Sequence, residues 1–382
     1  MDDLTLIWKL EKQILGELLR VCNQYKLKVF IAHGTLLGAV RHKGFIPWDD
    51  DIDVNMPRDD YEKLILVSKE VFKEPYFLQC YETDKNNFWG CAKLRYSRAT
   101  GMDLQDIPNN GISNNGLYVD IFPMDNVIDD RKLRERQSKK IEYYRKLMYA
   151  YVYGRYYDYF LYIGKREWRR YKFLTHIYKR EWVYKKFRYW ITKYNNIDTR
   201  RTGIHAFKTD YECCYWYKED YEQLVELPFD NLYLPAPSNY DRCLKIKWKN
   251  YMELPPEHER GKKHMDVILD PNIPYKEYDV SHFNWKIKDL ESKKIVLFGS
   301  GVVAQKFFNA YGKKIMICDV LDNNQDKVGR IWNGIRSTSP LEYKHMDGNV
   351  VIIAISDFKE IARQLEGLAI RDYLVFVSGR IY

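Results

Sequence analysis

Asp51-Ile52-Asp53-Val54 alternates acid with aliphatic residue, and no other stretch of the chain restricts its fold as tightly. A period of two marks a half-buried strand. Residues two apart on a strand share a face, so Asp51 and Asp53 project together. Two carboxylates on one face repel each other unless positive charge lies between them. A hard divalent cation with oxygen ligands, Mg²⁺ first and Mn²⁺ as an alternative, is the usual solution. Upstream, His33-Gly34-Thr35 leads into Leu36-Leu37-Gly38-Ala39-Val40-Arg41. That turn presents backbone N–H groups at a helix start, which suits a phosphate. A third acid, Asp120, sits in the apolar strand pattern Gly116-Leu117-Tyr118-Val119-Asp120-Ile121-Phe122-Pro123, where an uncompensated carboxylate is costly to bury. Metal-holding acids beside a phosphate-holding turn point to phosphoryl-type transfer.

These segments, with Gly44-Phe45-Ile46-Pro47-Trp48-Asp49-Asp50 between them, resemble the signature of the LicD family of phosphotransferases. The family includes bacterial phosphocholine transferases and is related to the fukutin group. Val119-Asp120-Ile121-Phe122-Pro123-Met124-Asp125 fits it too, as does Tyr251-Met252-Glu253-Leu254-Pro255-Pro256-Glu257 with Arg260, so the likeness spans about residues 10–265. It implies a nucleotidyltransferase-like fold. It also implies Mg²⁺-dependent transfer of a phospho-alcohol from CDP-choline or another CDP-alcohol to a glycan hydroxyl, the glycan free or lipid-linked.

On this reading Asp51 and Asp53 hold one or two Mg²⁺ ions. Asp120 completes the metal site or takes the acceptor's proton, and Asp49 supports them. Gly34, Thr35 and Arg41 grip donor phosphates, and Trp48 stacks on a base or a cationic head group, or simply packs. Lys93 and Arg95 share a strand face and either hold a donor phosphate or line an edge. Glu253 and Arg260 line the acceptor or the transferred alcohol. His33 and His42 read as structural. Two other functions stand beside this one: nucleotidyl transfer from a nucleoside triphosphate, and a non-catalytic nucleotide sensor.

The net charge of +9 is concentrated: residues 131–201 carry 22 Lys or Arg against 6 Asp or Glu, leaving −7 for the rest of the chain. This segment reads as two or three helices, broken near Gly154 and Gly164, and it is rich in Tyr and Trp. Basic and aromatic residues together suit an anionic membrane surface, a solvated cover over the core, or a single-stranded nucleic acid. Nucleic acid ranks last, since no recognition motif accompanies the charge. The seven cysteines form no CxxC pair and include the adjacent Cys213 and Cys214, which favours reduced thiols. Met1-Asp2-Asp3-Leu4 lacks the basic start of a signal peptide. The expected location is the cytoplasm, with peripheral contact at the inner face of the cell membrane.

The chain reads as α/β with two domains: a mixed-sheet catalytic domain over 1–275, whose basic helical region covers 131–205, and a Rossmann-like half-domain over 290–382. In the second, Lys294-Ile295-Val296-Leu297-Phe298 runs into the G-x-G-x-x-A turn Gly299-Ser300-Gly301-Val302-Val303-Ala304. Asp319 follows 20 residues after Gly299, the spacing of a ribose-binding carboxylate. Gly299, Gly301 and Asp319 are therefore the candidate nucleotide-binding residues.

Overall fold

The computed structural model describes residues 3–153, 165–205, 215–256, 260, 267–280, 287–346, 348–355, 358–371, 373–377 and 380–381. The expected helix breaks at Gly154 and Gly164, and Cys213, Cys214 and Glu257, lie outside the described residues. The chain divides into two compact units. One comprises Met1–Val152, Tyr171–His264 and Ile268–Tyr278; the other comprises Tyr153–Arg170, Met265–Val267 and Asp279–Tyr382.

The first unit opens with α1 (Asp3–Tyr25). Ile7, Ile14, Leu15, Leu18, Val21 and Cys22 fall on one face at helical spacing and are all buried. That stripe packs over a seven-stranded sheet. The sheet holds β1 (Phe30–Ile31), β2 (Asp53–Pro57), β3 (Tyr76–Gln79), β4 (Ala92–Tyr96) and β6 (Leu117–Val127) in the order β1-β2-β6-β4-β3. β7 (Arg201–Gly203) pairs antiparallel with the end of β6, and β8 (Tyr215–Tyr217) pairs with β7. β5 (Thr100–Asp103) pairs with β11 (Val267–Asp270), and β9 (Leu224–Phe229) with β10 (Leu232–Pro237) forms a hairpin. β2 and β6 run parallel, while β1 with β2 and β4 with β6 run antiparallel. The sheet is therefore mixed, as the acid-bearing strand patterns implied.

Two helices return the chain beside β2: α2 (His33–Arg41) and α3 (Arg58–Val71). Among the described residues the basic region forms three helices, α4 (Arg131–Tyr153), α5 (Lys165–Ile177) and α6 (Arg180–Thr192). The short α7 (Lys218–Tyr221) and α8 (Tyr240–Trp248) follow. Among the described residues no helix is long and apolar enough to cross a membrane.

The C-terminal part of the second unit contains α9 (Ile287–Leu290). Its sheet contains β12 (Lys294–Phe298), β13 (Met316–Leu321), β14 (Ile331–Trp332), β15 (Ile335–Thr338), β16 (Asn349–Ile353), β17 (Tyr373–Val377) and β18 (Arg380–Ile381). Its spatial order is β14-β15-β13-β12-β16-β17-β18, and the five central strands from β15 to β17 are parallel. Alternate residues of β12 and β16 face opposite layers. Ile295, Leu297, Val350 and Ile352 pack with Phe307 of α10 (Val302–Tyr311), whereas Val296, Phe298, Val351 and Ile353 pack with Ile361 and Leu365 of α11 (Phe358–Gly367). Apolar runs such as Ile295-Val296-Leu297-Phe298 belong to strands covered on both faces.

Candidate active site

Strand register assembles the acids. Asp53 begins β2 and lies opposite Asp120 on parallel β6, and Asp120 lies opposite Lys93 on antiparallel β4. Asp51 precedes β2 rather than belonging to it, but the Asp120 N–H donates to the Ile52 carbonyl at 2.9 Å, so the extended pairing reaches past the strand end. Carboxylate oxygens of Asp51, Asp53 and Asp120 lie within 4.8 Å of one another, and all three side chains are half-buried.

Burial, and then the charges of Asp51 and Asp120, push the Asp53 carboxyl well above the usual carboxylate range. Like charges opposite one another on a sheet are destabilising by themselves. Three hard oxygen donors around one point suit Mg²⁺ or Mn²⁺, and the upward pressure on Asp53 is what such an ion would relieve. The donor set fits the metal.

Thr35 takes a different role from the one expected. Its Oγ1 accepts the Asp53 N–H at 2.8 Å, and its side chain is buried. It anchors the metal strand to α2 instead of offering a hydroxyl to phosphate. Gly34 also serves Asp49: a Cβ there would come within 2.5 Å of the Asp49 carboxylate. Asp49 is buried, and its carbonyl accepts the Trp8 indole N–H at 2.9 Å.

Lys93 reaches Asp120 at 2.9 Å and lies 3.4 Å from the Tyr118 ring centroid. It neutralises an acid within the site. Arg95 shares that face, as its parity required, but the phosphate role fails for it. Its side chain is fully buried, its Nη1 donates to the carbonyls of Gly101 (2.6 Å) and Gly116 (2.8 Å), and its Nε donates to Gln79 at 2.8 Å. A guanidinium bound this way ties β4 to the chain around β5 and β6.

A second group gathers around Trp48. Arg41 Nη1 donates to the carbonyls of Tyr251 (2.9 Å) and Glu253 (3.2 Å), and Arg41 Nε lies 3.4 Å from His42 Nδ1. The His42 ring meets Trp48 edge-on at 6.1 Å, and the Arg260 guanidinium sits 5.7 Å from the Trp48 centroid. Burial, followed by the neighbouring Arg260 charge, lowers the Arg41 pKa. Glu253 contributes its backbone here, while its side chain is exposed.

Two participants escaped the sequence reading. Glu11 of α1 is buried with its Oε2 lacking a hydrogen-bond partner. Burial, then Asp51, Asp50, Asp49 and Asp53, raise its pKa well above the usual range. Its signal was an acid on the apolar stripe of α1, between Ile7 and Ile14. Lys247 of α8 lies 3.0 Å from His33 Nδ1 and pulls the Asp53 pKa down. His33 is held neutral by burial and by Lys247, in keeping with a structural role.

In the second unit the glycine turn is real. Gly299 adopts φ +106°, and a Cβ there would strike the Ile355 side chain at 2.3 Å. The acid at the expected spacing sits inside the sheet. Asp319 lies within β13 and accepts from Thr338 Oγ1 at 3.2 Å, whereas Asp322 stands just past the carboxyl end of β13. Ser300 donates to Asp322 Oδ2 from its N–H (3.0 Å) and its Oγ (2.5 Å). β13 continues to Leu321, so Asp322 is the first acid beyond the strand end.

Residues 26–152 match the LicD/FKTN/FKRP nucleotidyltransferase domain. Among curated proteins it is similar to the lipopolysaccharide cholinephosphotransferase LicD of Haemophilus influenzae, with 26% identity over 256 residues, 64% of this chain and 89% of that protein. A segment of 48 residues is 42% identical to an uncharacterized protein of Rickettsia prowazekii, covering 13% of this chain and 18% of that one. Residues 291–376 match a separate family, the C2185-like N-terminal domain.

Proposed function

We propose that this chain transfers a phospho-alcohol, phosphocholine foremost, from a CDP-linked donor to a hydroxyl of a cell-surface glycan or its lipid-linked precursor. The observation that carries the reading is the convergence of Asp51, Asp53 and Asp120 within 4.8 Å on registered strands. Similarity to a lipopolysaccharide cholinephosphotransferase supports the substrate class.

Asp51, Asp53 and Asp120 would hold Mg²⁺, which when bound supplies charge neutralisation on the phosphate oxygens. The chain's own groups then have distinct tasks. Thr35 fixes Asp53 through its backbone. Lys93 balances Asp120, and Asp120 is the acid placed to take the acceptor's proton when it is not engaged with metal. Arg260 lies over Trp48 and Arg41 stands beside His42, whose ring meets Trp48; the two guanidiniums bind the donor diphosphate and the indole offers a face to the base or to the quaternary ammonium. For the second unit the reading is a Rossmann-like nucleotide-binding fold. Its glycine turn follows β12, the strand at which the sheet order switches direction.

Incubation with a panel of CDP-alcohols and Mg²⁺, followed by chromatography, tests the proposal. CMP release from CDP-choline is the expected result. Pyrophosphate release from a nucleoside triphosphate, with no CMP from any CDP-alcohol, would replace it with nucleotidyl transfer.

A further inference from the structure

The helix α6 has two unlike faces, and only one of them belongs to the core. Val183, Tyr184, Phe187, Trp190 and Ile191 form a buried stripe, with Tyr184 stacked on Tyr81. The outward stripe is not the charged face that solvent alone would select. It reads Trp182, Lys186, Tyr189, Lys193, at spacings of three or four residues. Trp182 is 40% exposed and Tyr189 is 50% exposed. The lysines lie against those rings: Lys186 Nζ is 5.6 Å from the Trp182 centroid and 6.0 Å from that of Tyr189, and Lys193 Nζ is 5.5 Å from Tyr189.

The same character continues onto the preceding helix. Phe173 and Ile177, one turn apart near the end of α5, are 65% and 55% exposed. Tyr178, which follows them, stacks on Trp182 at 4.9 Å with an interplanar angle of 17° and joins the two stripes into one patch. Lys172, Lys179 and Lys185 are exposed around it.

Scattered exposed apolar residues are ordinary. Five of them joined across two consecutive helices, interleaved with lysines, are not. Aromatic rings with polar tips belong at the boundary between lipid head groups and acyl chains. Lysines among them match anionic head groups and not neutral ones. The rings lie on the outer sides of helices, which suits a broad surface. Single-stranded nucleic acid instead takes its stacking rings along a basic groove.

We infer that Phe173, Ile177, Tyr178, Trp182 and Tyr189, with the lysines between them, form a docking face for an anionic lipid bilayer. The contact lies in the membrane plane and needs no spanning segment. It goes beyond the transfer reaction, and no metal-binding or donor-gripping residue takes part in it.

Flotation of the full chain with phosphatidylglycerol-containing vesicles and with pure phosphatidylcholine vesicles tests the face. Strong binding to the anionic vesicles is expected, at least tenfold weaker binding to the neutral ones, and loss as salt is raised, because exposed charges are screened over about 8 Å at physiological ionic strength. Two variants divide the contributions: Trp182→Ala with Tyr189→Ala, and Lys185→Glu with Lys186→Glu. Each should lower binding to anionic vesicles at least tenfold with circular dichroism and CMP release from the CDP-alcohol in the presence of a soluble acceptor unchanged, since all four side chains face outward. No binding to either vesicle type, equal binding to both, or variants that bind like the parent would overturn the inference. So would a single-stranded oligonucleotide that displaces the vesicles at comparable concentration.

Discussion

Replacing Asp53 by asparagine keeps the shape of the side chain and removes its charge, so it separates what the carboxylate does for catalysis from what it costs the fold. Oxygens of Asp51, Asp53 and Asp120 lie within 4.8 Å of one another. At that separation and an effective dielectric constant of about 20, one pair of unit charges repels by about 3.5 kcal/mol. Asp53 faces two such neighbours. Lys93, at 2.9 Å from Asp120, cancels much of one repulsion, and Lys247 offsets part of the other. Part of the remainder is already relieved by proton uptake, because the Asp53 pKa is raised. Asp53→Asn should therefore stabilise the metal-free protein by about 1–3 kcal/mol. The substitution leaves the main chain untouched, so the backbone N–H at position 53 still reaches Thr35 and the strand anchor survives.

In Mg²⁺ the order reverses. Wild type gains about 2.7 kcal/mol when the ion stands at a hundred times its dissociation constant, and the variant gains little. CMP release should fall about 100-fold or more, the scale of metal-based charge stabilisation. Urea unfolding of both proteins, in EDTA and in saturating Mg²⁺, reads the crossing directly. A lower midpoint for the variant in EDTA would refute the like-charge argument. A wild-type midpoint indifferent to both Mg²⁺ and Mn²⁺ would refute the metal site.

Other expectations follow from neighbouring groups. Lys247→Met removes a cation that draws the Asp53 carboxyl down, so in EDTA that carboxyl should titrate at higher pH by NMR than in the wild type, and Lys247→Arg should restore part of the difference; an unchanged titration would sink that role. Asp125→Ala strips the fully buried partner from Arg58, which donates to it at 2.9 and 2.7 Å, and should destabilise the fold by about 3–5 kcal/mol in urea titration. His205 is buried, donates from Nε2 to the Asn126 carbonyl at 3.1 Å, and has its pKa lowered chiefly by burial. Its unfolded form binds protons that the folded form refuses, so stability is full above about pH 6.5 and declines as pH falls below it; His205→Gln should flatten that decline in unfolding midpoints measured across the range.

The clustered acids were legible because period-two alternation survives in the sequence, and parity alone placed Asp51 with Asp53. Parity also put Lys93 and Arg95 on one face correctly. It could not show that the carbonyls of Gly101 and Gly116 would fold around Arg95, since those bonds depend on chain distant from β4. Glu11 was visible as an acid inside an apolar helical stripe, but nothing local linked α1 to Asp50 and Asp51. Lys247 carried no signal at all: it lies more than two hundred residues from His33 and comes from a helix full of lysines. In the second unit the buried strands and the glycine turn read plainly. The spacing that picked Asp319 did not show that β13 runs on past it to Leu321, because strand length is the least local quantity in the pattern.

The row Asp53–Asp120–Lys93 is set by the register of three strands and by no loop. The basic helices enter only after β6 has run on to Val127 and leave before β7 begins at Arg201. Their attachment is thus downstream of the reacting groups along the same strand. Changes in that segment therefore reach the carboxylates only through packing, by way of Tyr184 on Tyr81 and of Arg188 on Glu62 and Glu82, and leave the strand register that aligns them untouched.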